Sequence, residues 1–261
     1  MSVSLEDIEA ALLRSLTGPR GDHRFSLLHE RVQKQVPHVS SYANRYKIME
    51  AVWSLVAKRM IYVNYSQSPS SNWEIHLTER GREAANDSTL NPDNVPAYLR
   101  RVVSDIPTLT TIPRFYLDEA LRAYSNECYT ASTMMLGVAA EAAFYDVAAS
   151  FAAWLNNAAG SALEDVLAKP TTAYIQKFVE FQKRLAANKG HLPVHLQQNL
   201  DLNINSVLEL LRLARNDVGH PTGVQIDRND AFQHLVIFPG LAKRLYNLKA
   251  HFESSSLPAG A

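Results

Sequence analysis

The most informative stretch of the chain is LLRLARNDVGHP, residues Leu210–Pro221. Apolar residues recur at helical intervals from Ile204 to Val218, which predicts one buried helical stripe. Arg215 falls in the middle of that stripe, about 20° from Ile204 around the helix axis. A guanidinium group in a position where leucine is expected is costly to bury unless it meets an acid, a phosphate or water. The sequence therefore singles out Arg215 for a special role.

His220 follows Arg215 by five residues, at the predicted end of the same helix. Gly219 weakens the helix, and Pro221 disfavours a helical conformation at His220. The chain can therefore turn here and bring the imidazole back beside the guanidinium. Such a pair would suit phosphodiester chemistry, because an imidazole exchanges a proton near neutral pH and arginine holds a phosphate in a planar fork.

The length of 261 residues fits two modest domains better than one. A stretch dense in turn formers and poor in large apolar residues, NDSTLNPDNVP at 86–96, indicates a linker between them. We therefore predict a first domain at 1–86, a linker at 87–97, a second domain at 98–253 and a short disordered tail at 254–261.

In the first domain, helical periods come first and an alternating period follows. The predicted elements are a helix from Leu5 with Ser4 as its N-cap, helices at Ser26–Val36 and Ser41–Arg59, strands at Ile61–Tyr65 and Trp73–Leu77, and a capped helical turn in Thr78–Ala84. This order resembles a winged helix-turn-helix domain. The segment Met60–Ala84 is similar to the wing, and to the LTERGREA element that follows it, in bacterial winged-helix proteins.

The second domain is predicted to be a helical bundle, so the expected fold class is mainly α. Its predicted helices cover Phe115–Asn126, Tyr129–Asn156, about Thr172–Ala187, Leu196–Val218 and Asp230–Phe252. The helix at Tyr129–Asn156 is apolar on nearly every side, which predicts a central position. An irregularity is expected in the last helix, around Pro239-Gly240.

The second domain resembles the HEPN superfamily over roughly Pro113–Phe252. The resemblance rests on RNDVGH after an apolar helix, on the earlier helix ASTMMLGVAAEAAFYD and on the closing helix AFQHLVIFPGLAKRLYNL. Many members of this superfamily are metal-independent endoribonucleases that work as homodimers, with two motifs meeting across the dimer cleft. The resemblance implies that Arg215 binds the scissile phosphate, His220 acts as acid or base, and Asn216 orients groups or forms hydrogen bonds within the site.

Glu141 is a second charged residue in an apolar setting. It shares one side of its predicted helix with Met134, Val138, Tyr145 and Ala148. An isolated buried carboxylate is expensive, so Arg215 is its expected partner. Two interpretations stay open. Either Glu141 positions the arginine of a catalytic site, or the two form a structural ion pair and His220 only caps the helix end, where a cation is favoured.

DNA contact by a winged helix would fall to the start of its third helix. Residue types that reach phosphates and base edges cluster there, namely Ser41, Tyr42, Asn44, Arg45 and Lys47. The segment Met1–Asn86 holds 11 basic and 9 acidic residues, a net charge of 11 − 9 = +2, and the predicted wing Ser66–Asn72 contains no Arg or Lys. Because this charge is modest, dimerisation or contact with a protein stays open as the alternative.

The composition excludes some classes of protein. Lys plus Arg equal Asp plus Glu at 26 each, so no global positive field draws the chain onto nucleic acid. Cys128 is the only cysteine, which excludes an intramolecular disulfide and a cysteine-based zinc cluster, and we expect it to be buried. The N-terminus lacks the features of a secretory signal, and Thr133–Leu155 is too polar for a confident membrane span. A cytoplasmic protein without membrane contact, metal or cofactor is expected.

The expected function is that of a HEPN-type, metal-independent endoribonuclease of a bacterial stress or defence system. RNA would be its substrate, a homodimer its active form, and the winged helix its targeting or regulatory domain. Two alternatives stay open. One is a DNA-binding transcriptional regulator whose noncatalytic HEPN-like domain dimerises or senses a nucleotide. The other is an interaction module that works with a partner protein of a defence system.

Overall fold

The protein is mainly helical, as predicted. A computed structural model describes residues 4–17, 23–39, 45–66, 69–85, 90–198, 200, 204–206, 223 and 225–257, without the side chains of residues 38 and 45. Within these residues one two-stranded sheet accompanies the helices. The chain divides into two compact units, Met1–Arg101 and Val102–Ala261.

The first unit has the predicted order of three helices, a hairpin and a short helix. Its elements are α1 (Leu5–Leu16), α2 (Phe25–Gln35), α3 (Arg45–Ala57), β1 (Ile61–Asn64), β2 (Glu74–Leu77) and α4 (Glu79–Ala84), and α5 (Val95–Asp105) begins in it. Short 3₁₀ turns lie at Pro37–Val39 and Ser70–Asn72. Ser4 caps α1 as predicted, since its hydroxyl accepts a hydrogen bond from the backbone N–H of Asp7 at 3.2 Å.

The hairpin covers one side of the core of this unit. β1 and β2 are antiparallel, with Val63 opposite Ile75 and Tyr62 opposite His76. Because side chains alternate along a strand, Ile75 lies in the core while Tyr62 points to solvent. Residue Arg24, just before α2, adds an isolated antiparallel bridge to β2 at Glu74. The core itself comes mainly from the helices and includes Ile8, Leu12, Leu28, Val32, Ile48 and Leu55.

The region predicted as a linker at 87–97 differs from the prediction where it is described. The side chain of Asp93 is fully buried and pairs with Arg80 of α4 at 2.7 Å. Asn94 donates a side-chain hydrogen bond to the carbonyl of Ala84 at 2.8 Å. Helix α5 already begins at Val95, and the division between the two units falls after Arg101, within this helix. Asn and Asp form turns whether or not their side chains are buried, so their abundance did not reveal this packing.

The second unit contains the remaining helices. They are α6 (Thr111–Ser125), α7 (Tyr129–Leu155), α8 (Ala158–Ala168), α9 (Tyr174–Ala187), α10 (Val194–Gln197) and α11 (Arg228–Ser254). The predicted positions of α6, α7, α9 and α11 are confirmed to within a few residues, whereas α8 was not predicted. The helix predicted at Leu196–Val218 is described only in part, because residues 207–222 lie outside the described residues. α11 continues through Pro239 without the predicted irregularity.

α7 is the central helix of this unit, as its apolar composition predicted. It packs against α6, α8 and α11. α11 runs parallel to it, because Thr130 near the start of α7 lies beside Ile226 and Ser150 near its end lies beside Glu253. By length and composition α7 would be able to cross a membrane, contrary to the prediction. Half of an apolar 18-residue window of this helix is buried inside the protein.

Two smaller predictions about this unit are wrong. Cys128, expected to be buried, is exposed at the start of α7. The tail predicted to be disordered from Ser254 is ordered in its described part, since Ser254 is the last residue of α11. The hydroxyl of Ser255 donates to the carbonyl of His251 at 2.7 Å and accepts from the indole N–H of Trp154 at 3.1 Å. These bonds fix the chain just beyond the helix.

Candidate functional site

The predicted motif residues Arg215, Asn216 and His220 lie outside the described residues. Of the predicted catalytic set, Glu141 is described, in the middle of α7. Its side chain is half-buried. The structure therefore provides the surroundings of one of the four residues.

Glu141 belongs to a half-buried stripe along α7. Met134, Val138 and Tyr145 share this stripe, as the helical period predicted, whereas Ala148 is fully buried. The opposite side of α7 is closed by the core, where Leu136, Ala139 and Ala143 are fully buried. The carboxylate of Glu141 is thus held on the one side of the central helix that is not completely covered.

A buried lysine approaches the same stripe from α9. Lys177 is 7% exposed, and its ammonium group donates to the carbonyl of Leu167 at 2.7 Å. It also lies 5.4 Å from the ring centroid of Tyr145, one helical turn beyond Glu141. The carbonyl and the ring face offset part of the cost of burying the cation. The sequence pattern indicates this residue, because Lys177 falls in the apolar stripe of α9 next to Phe178. Arg215 interrupts the apolar stripe of its own predicted helix in the same way.

A second carboxylate of α7, Asp146, joins three elements. The hydroxyls of Thr110 and Tyr246 both donate to its Oδ2 atom, the latter at 2.5 Å. The backbone N–H of Thr110 donates to the Tyr246 hydroxyl at 3.3 Å. Burial, and next the hydrogen bond to Asp146, raise the pKa of Tyr246 far above its ordinary value. The phenol therefore stays protonated, and the three groups form a structural tie between the start of α6, α7 and α11.

His234 and Thr133 form a weaker contact between α11 and α7. Thr133 Oγ1 lies 3.4 Å from His234 Nδ1. Burial lowers the pKa of His234, and the nearby carboxylate of Asp230 opposes this effect. Because Thr133 is only 1% exposed, its hydroxyl is not accessible to a substrate.

A surface cavity of about 200 Å³ lies between α11 and the segment that contains α10. Its polar lining consists of His195, Gln198, Arg244 and Asn247, and aliphatic side chains of Leu196, Ile204, Leu241, Leu245 and Leu248 complete it. Burial, and then the neighbouring His195, lower the pKa of His251 close by. The lining offers hydrogen-bond donors and a positive charge, which are the groups that hold small anions.

In the first unit, most of the predicted DNA-contact residues are not described. Ser41, Tyr42 and Asn44 lie outside the described residues, and Arg45 begins α3 with its side chain also outside them. Lys47 is half-buried on α3. Of the five predicted contact residues, one side chain is therefore described, and it is not fully exposed.

The solvent face of α3 is aromatic in its described part. Tyr46 is 67% exposed and Trp53 is 49% exposed, and exposed Glu50 lies between them. The positions 46, 50 and 53 lie on one helical face. Exposed rings continue on the hairpin, where Tyr62 stacks on His76 with ring centroids 5.1 Å apart. The spacing of Tyr46 and Trp53 was visible in the sequence, but their exposure was not.

Comparison with known proteins adds no assignment. No protein-family model, curated protein or solved structure matches this chain. In the part of the chain that the structure describes, no group of three or more His, Cys, Asp or Glu side chains lies close enough together to hold a metal ion.

Proposed function

We propose that this protein is a HEPN-type, metal-independent endoribonuclease of a bacterial stress or defence system, acting on RNA in the cytoplasm. The observation that carries the proposal is the motif Arg215-Asn216-x-x-x-His220, which follows an apolar helical stripe. A mainly helical second unit packed around the long central helix α7 supports it. So does the position of the half-buried carboxylate of Glu141 on α7.

The proposed reaction uses no metal ion. The 2′-hydroxyl of a ribose attacks the adjacent phosphorus, the bond to the 5′-oxygen of the next nucleotide breaks, and a 2′,3′-cyclic phosphate is left. His220 transfers protons to or from these oxygens, and Arg215 stabilises the charge that develops on the phosphate. Asn216 forms hydrogen bonds that orient the reacting groups. These roles follow from the HEPN resemblance.

Glu141 has a positioning role in this proposal. A carboxylate beside Arg215 would fix the plane of the guanidinium and so orient its donors towards the phosphate. We expect Glu141→Gln to lower kcat more than it raises KM, because it disturbs alignment in the transition state. Glu141→Asp should restore part of kcat. A merely structural ion pair predicts instead that activity falls only as far as the folded fraction falls.

A homodimer is part of the proposal, since the resemblance implies two motifs at one cleft. Exposed apolar side chains on α11 support a contact surface. Phe232 and Val236 are each 37% exposed and one helical turn apart, and Ile237 is 53% exposed. Exposed apolar patches of this kind mark interaction sites. Light scattering should give a dimer mass for the wild type and a monomer mass for Ile237→Lys.

We propose that the first unit is a winged helix-turn-helix domain that targets or regulates the nuclease. The order of three helices followed by a hairpin supports this. The bridge between Arg24 and Glu74 gives additional support, because it attaches the segment before α2 to the edge of the hairpin.

The test of the nuclease is cleavage of a mixed, labelled RNA pool with excess EDTA present. Wild-type protein should cleave it and leave 2′,3′-cyclic phosphate ends, and Arg215→Ala/His220→Ala should not. His191→Gln is the matched control, because His191 is an exposed histidine outside the motif. It should cleave at the wild-type rate.

The nuclease proposal fails if the double variant cleaves as well as the wild type, since the activity would then come from a contaminant. It also fails if the wild type cleaves no RNA under any condition and His220→Ala changes nothing in cells.

A second candidate is a regulator or interaction module with a noncatalytic HEPN-like unit. The DNA-binding form predicts duplex binding that survives His220→Ala and drops with Arg45→Ala. The exposed face of α3 favours contact with a protein instead, since its described side chains are Tyr46, Glu50 and Trp53 and none of these is basic. Gel-shift assays of the two variants with a DNA duplex distinguish a DNA-binding regulator from a protein-interaction module.

A further inference from the structure

Three aromatic rings meet at the loop end of the hairpin in the first unit. We call Trp53, Tyr65 and Trp73 the aromatic cluster. The rings of Trp53 and Trp73 have centroids 6.4 Å apart and planes at 78°. The rings of Tyr65 and Trp73 also have centroids 6.4 Å apart, with planes at 63°. Trp73 therefore connects a helix residue and a strand-end residue through edge-to-face contacts.

The backbone holds the cluster in place. The carbonyl of Trp73 accepts from the backbone N–H of Phe25 at 2.8 Å, and its own N–H donates to the carbonyl of Ser70 at 3.2 Å. On the other strand, the backbone N–H of Ser66 donates to the side chain of Asn64 at 3.2 Å, which fixes the chain around Tyr65. The rings are thus organised before any ligand arrives.

The position of the cluster follows from the strand register. Asn64 pairs with Glu74, so Tyr65 and Trp73 lie opposite each other one step beyond the ladder. By alternation they share the face of Val63 and Ile75, which is the core face. The core ends at this point, and the rings come to the surface. Trp53 is 49% exposed and Tyr65 is 71% exposed.

A carboxylate neighbours Trp53 on α3. Glu50 is exposed and precedes Trp53 by one helical turn on the solvent face of α3. It makes no ion pair with any residue that the structure describes. The segment Ser66–Asn72, which joins the strands, contains no Arg or Lys. Because the face of an aromatic ring is also electronegative, the rings and Glu50 together favour a cation at this position.

We propose that the aromatic cluster and Glu50 bind an organic cation, supplied by an arginine or lysine side chain of a partner protein. The rings contact the alkyl stem and the charged head, and the carboxylate of Glu50 pairs with the head. Duplex DNA or single-stranded RNA fits less well, because each brings phosphates close to Glu50 and the surface offers no basic residue in Ser66–Asn72 to bind them. This proposal is independent of nuclease activity.

The test uses the full chain labelled with 5-fluorotryptophan. The protein has 3 tryptophans, so the ¹⁹F spectrum should have three signals, assigned by single substitutions. Trp154, which is 4% exposed in the second unit, serves as the internal reference. The ligand probes are N-acetyl-arginine amide and N-acetyl-citrulline amide, which have nearly the same shape and differ in charge.

Arginine amide should shift the Trp53 and Trp73 signals saturably and leave the Trp154 signal unchanged. We expect it to bind about twofold to fivefold more tightly than citrulline amide, as cation–π contacts at exposed sites imply. Trp53→Leu should abolish the response of the Trp73 signal, and Glu50→Gln should weaken binding by about threefold. Tyr62→Leu is the control, because Tyr62 is an exposed ring on the opposite face of the hairpin. It should bind like the wild type.

Trp53→Phe keeps a ring and should bind arginine amide more weakly than the wild type and more strongly than Trp53→Leu. Equal binding of citrulline amide would overturn the proposal, since it would show apolar contact alone. The absence of a saturable shift would overturn it as well. Trp53-dependent binding of oligouridylate that survives Glu50→Gln unchanged would assign the surface to nucleic acid instead.

Discussion

The two units bury charged side chains in different ways. In the first unit, buried charged side chains form ion pairs with residues of opposite charge. Arg80 and Asp93 pair at 2.7 Å with side chains 14% and 0% exposed, and Lys58 pairs with the mostly buried Glu9 at 2.7 Å. In the second unit Asp146 and the buried Lys177 meet neutral groups, while the ion pairs of Arg184 with Glu180 and of Lys249 with Glu253 are partly exposed. Asp146 accepts hydrogen bonds from two hydroxyls, and Lys177 donates to a carbonyl and lies over a ring.

This difference determines how each unit responds to the loss of a partner. When one member of a buried ion pair is removed, the other is left as an uncompensated charge, and the cost is large. When one neutral donor is removed from a hydrogen-bonded carboxylate, the remaining bonds and partial exposure limit the cost. The first unit should therefore be the more sensitive to substitutions that remove one polar partner.

The largest expected effect is that of Arg80→Met, which leaves Asp93 buried without its countercharge. We expect the free energy of unfolding of the first unit to fall by about 3–5 kcal/mol. Urea unfolding followed by the Trp53 and Trp73 signals of the fluorinated protein measures it. The double variant Arg80→Met/Asp93→Leu is the control and should regain most of the loss, because it buries no charge. A loss well under about 1 kcal/mol in the single variant would contradict the role of the pair.

A matched pair of glycines compares packing in the two units. A Cβ atom at Gly81 of α4 would lie 1.8 Å from the carbonyl oxygen of Met60, so Gly81→Ala should destabilise the first unit by about 1–3 kcal/mol or more. A Cβ atom at Gly240 of α11 would meet nothing within 4 Å. Gly240→Ala should therefore stabilise the second unit by up to about 1 kcal/mol. Thermal unfolding of both variants measures these changes, and effects of the same sign would refute the contrast.

Tyr246→Phe tests the hydrogen bonds that join Asp146 to neutral hydroxyl groups in the second unit. It removes one of the hydroxyls that donate to Asp146, and we expect the free energy of unfolding to fall by about 1–3 kcal/mol. The Trp154 signal follows unfolding of this unit in urea. Tyr116→Phe, at a half-buried tyrosine, is the control and should change the free energy by less than about 0.5 kcal/mol. A loss equal to that of Arg80→Met would remove the proposed difference between the units.

The smallest expected effect is a pH dependence of the second unit. Burial lowers the pKa of His234 below the 6.5 of the unfolded chain. Between the two pKa values the unfolded state binds more protons, so the free energy of unfolding decreases as the pH falls through 6.5 towards the folded pKa. The lowered pKa of His251 acts with the same sign. His234→Gln should lose less stability than the wild type between about pH 7.5 and pH 5.5 in urea unfolding. If His234→Gln loses as much stability as the wild type over this pH range, His234 is excluded as a source of the pH dependence.

Most of the fold was predictable because its signals are local. Helices α6, α7, α9 and α11 were predicted from an apolar period of 3.6 residues, and the hairpin from a period of two residues. Both periods depend on residues only a few positions apart. α8 was missed because Ala158–Ala168 is rich in small residues and shows little apolar periodicity. Within the predicted linker, the sequence does not show that Asp93 and Asn94 pair with α4.

The candidate site was predictable only where a polar residue interrupts an apolar stripe. Glu141 was found in this way, and it lies on the half-buried stripe of α7. Lys177 carries the same signal in α9. No such signal exists for the aromatic cluster, because Trp53 and Trp73 are 20 residues apart and belong to different elements.

The sequence by itself determined the order of the elements from α1 to α4, the mainly α class and the capping of α1 by Ser4 and of α4 by Thr78. These features depend on periodicity and on hydrogen bonds between residues close in the chain. Only the tertiary structure decided which polar groups become partners and which rings stay exposed. Asp146 meets Tyr246 across 100 residues of sequence, and Trp53 meets Trp73 across the hairpin. The physical reason is that burial and pairing depend on which surfaces come together when the elements pack, and local sequence patterns carry no information about that.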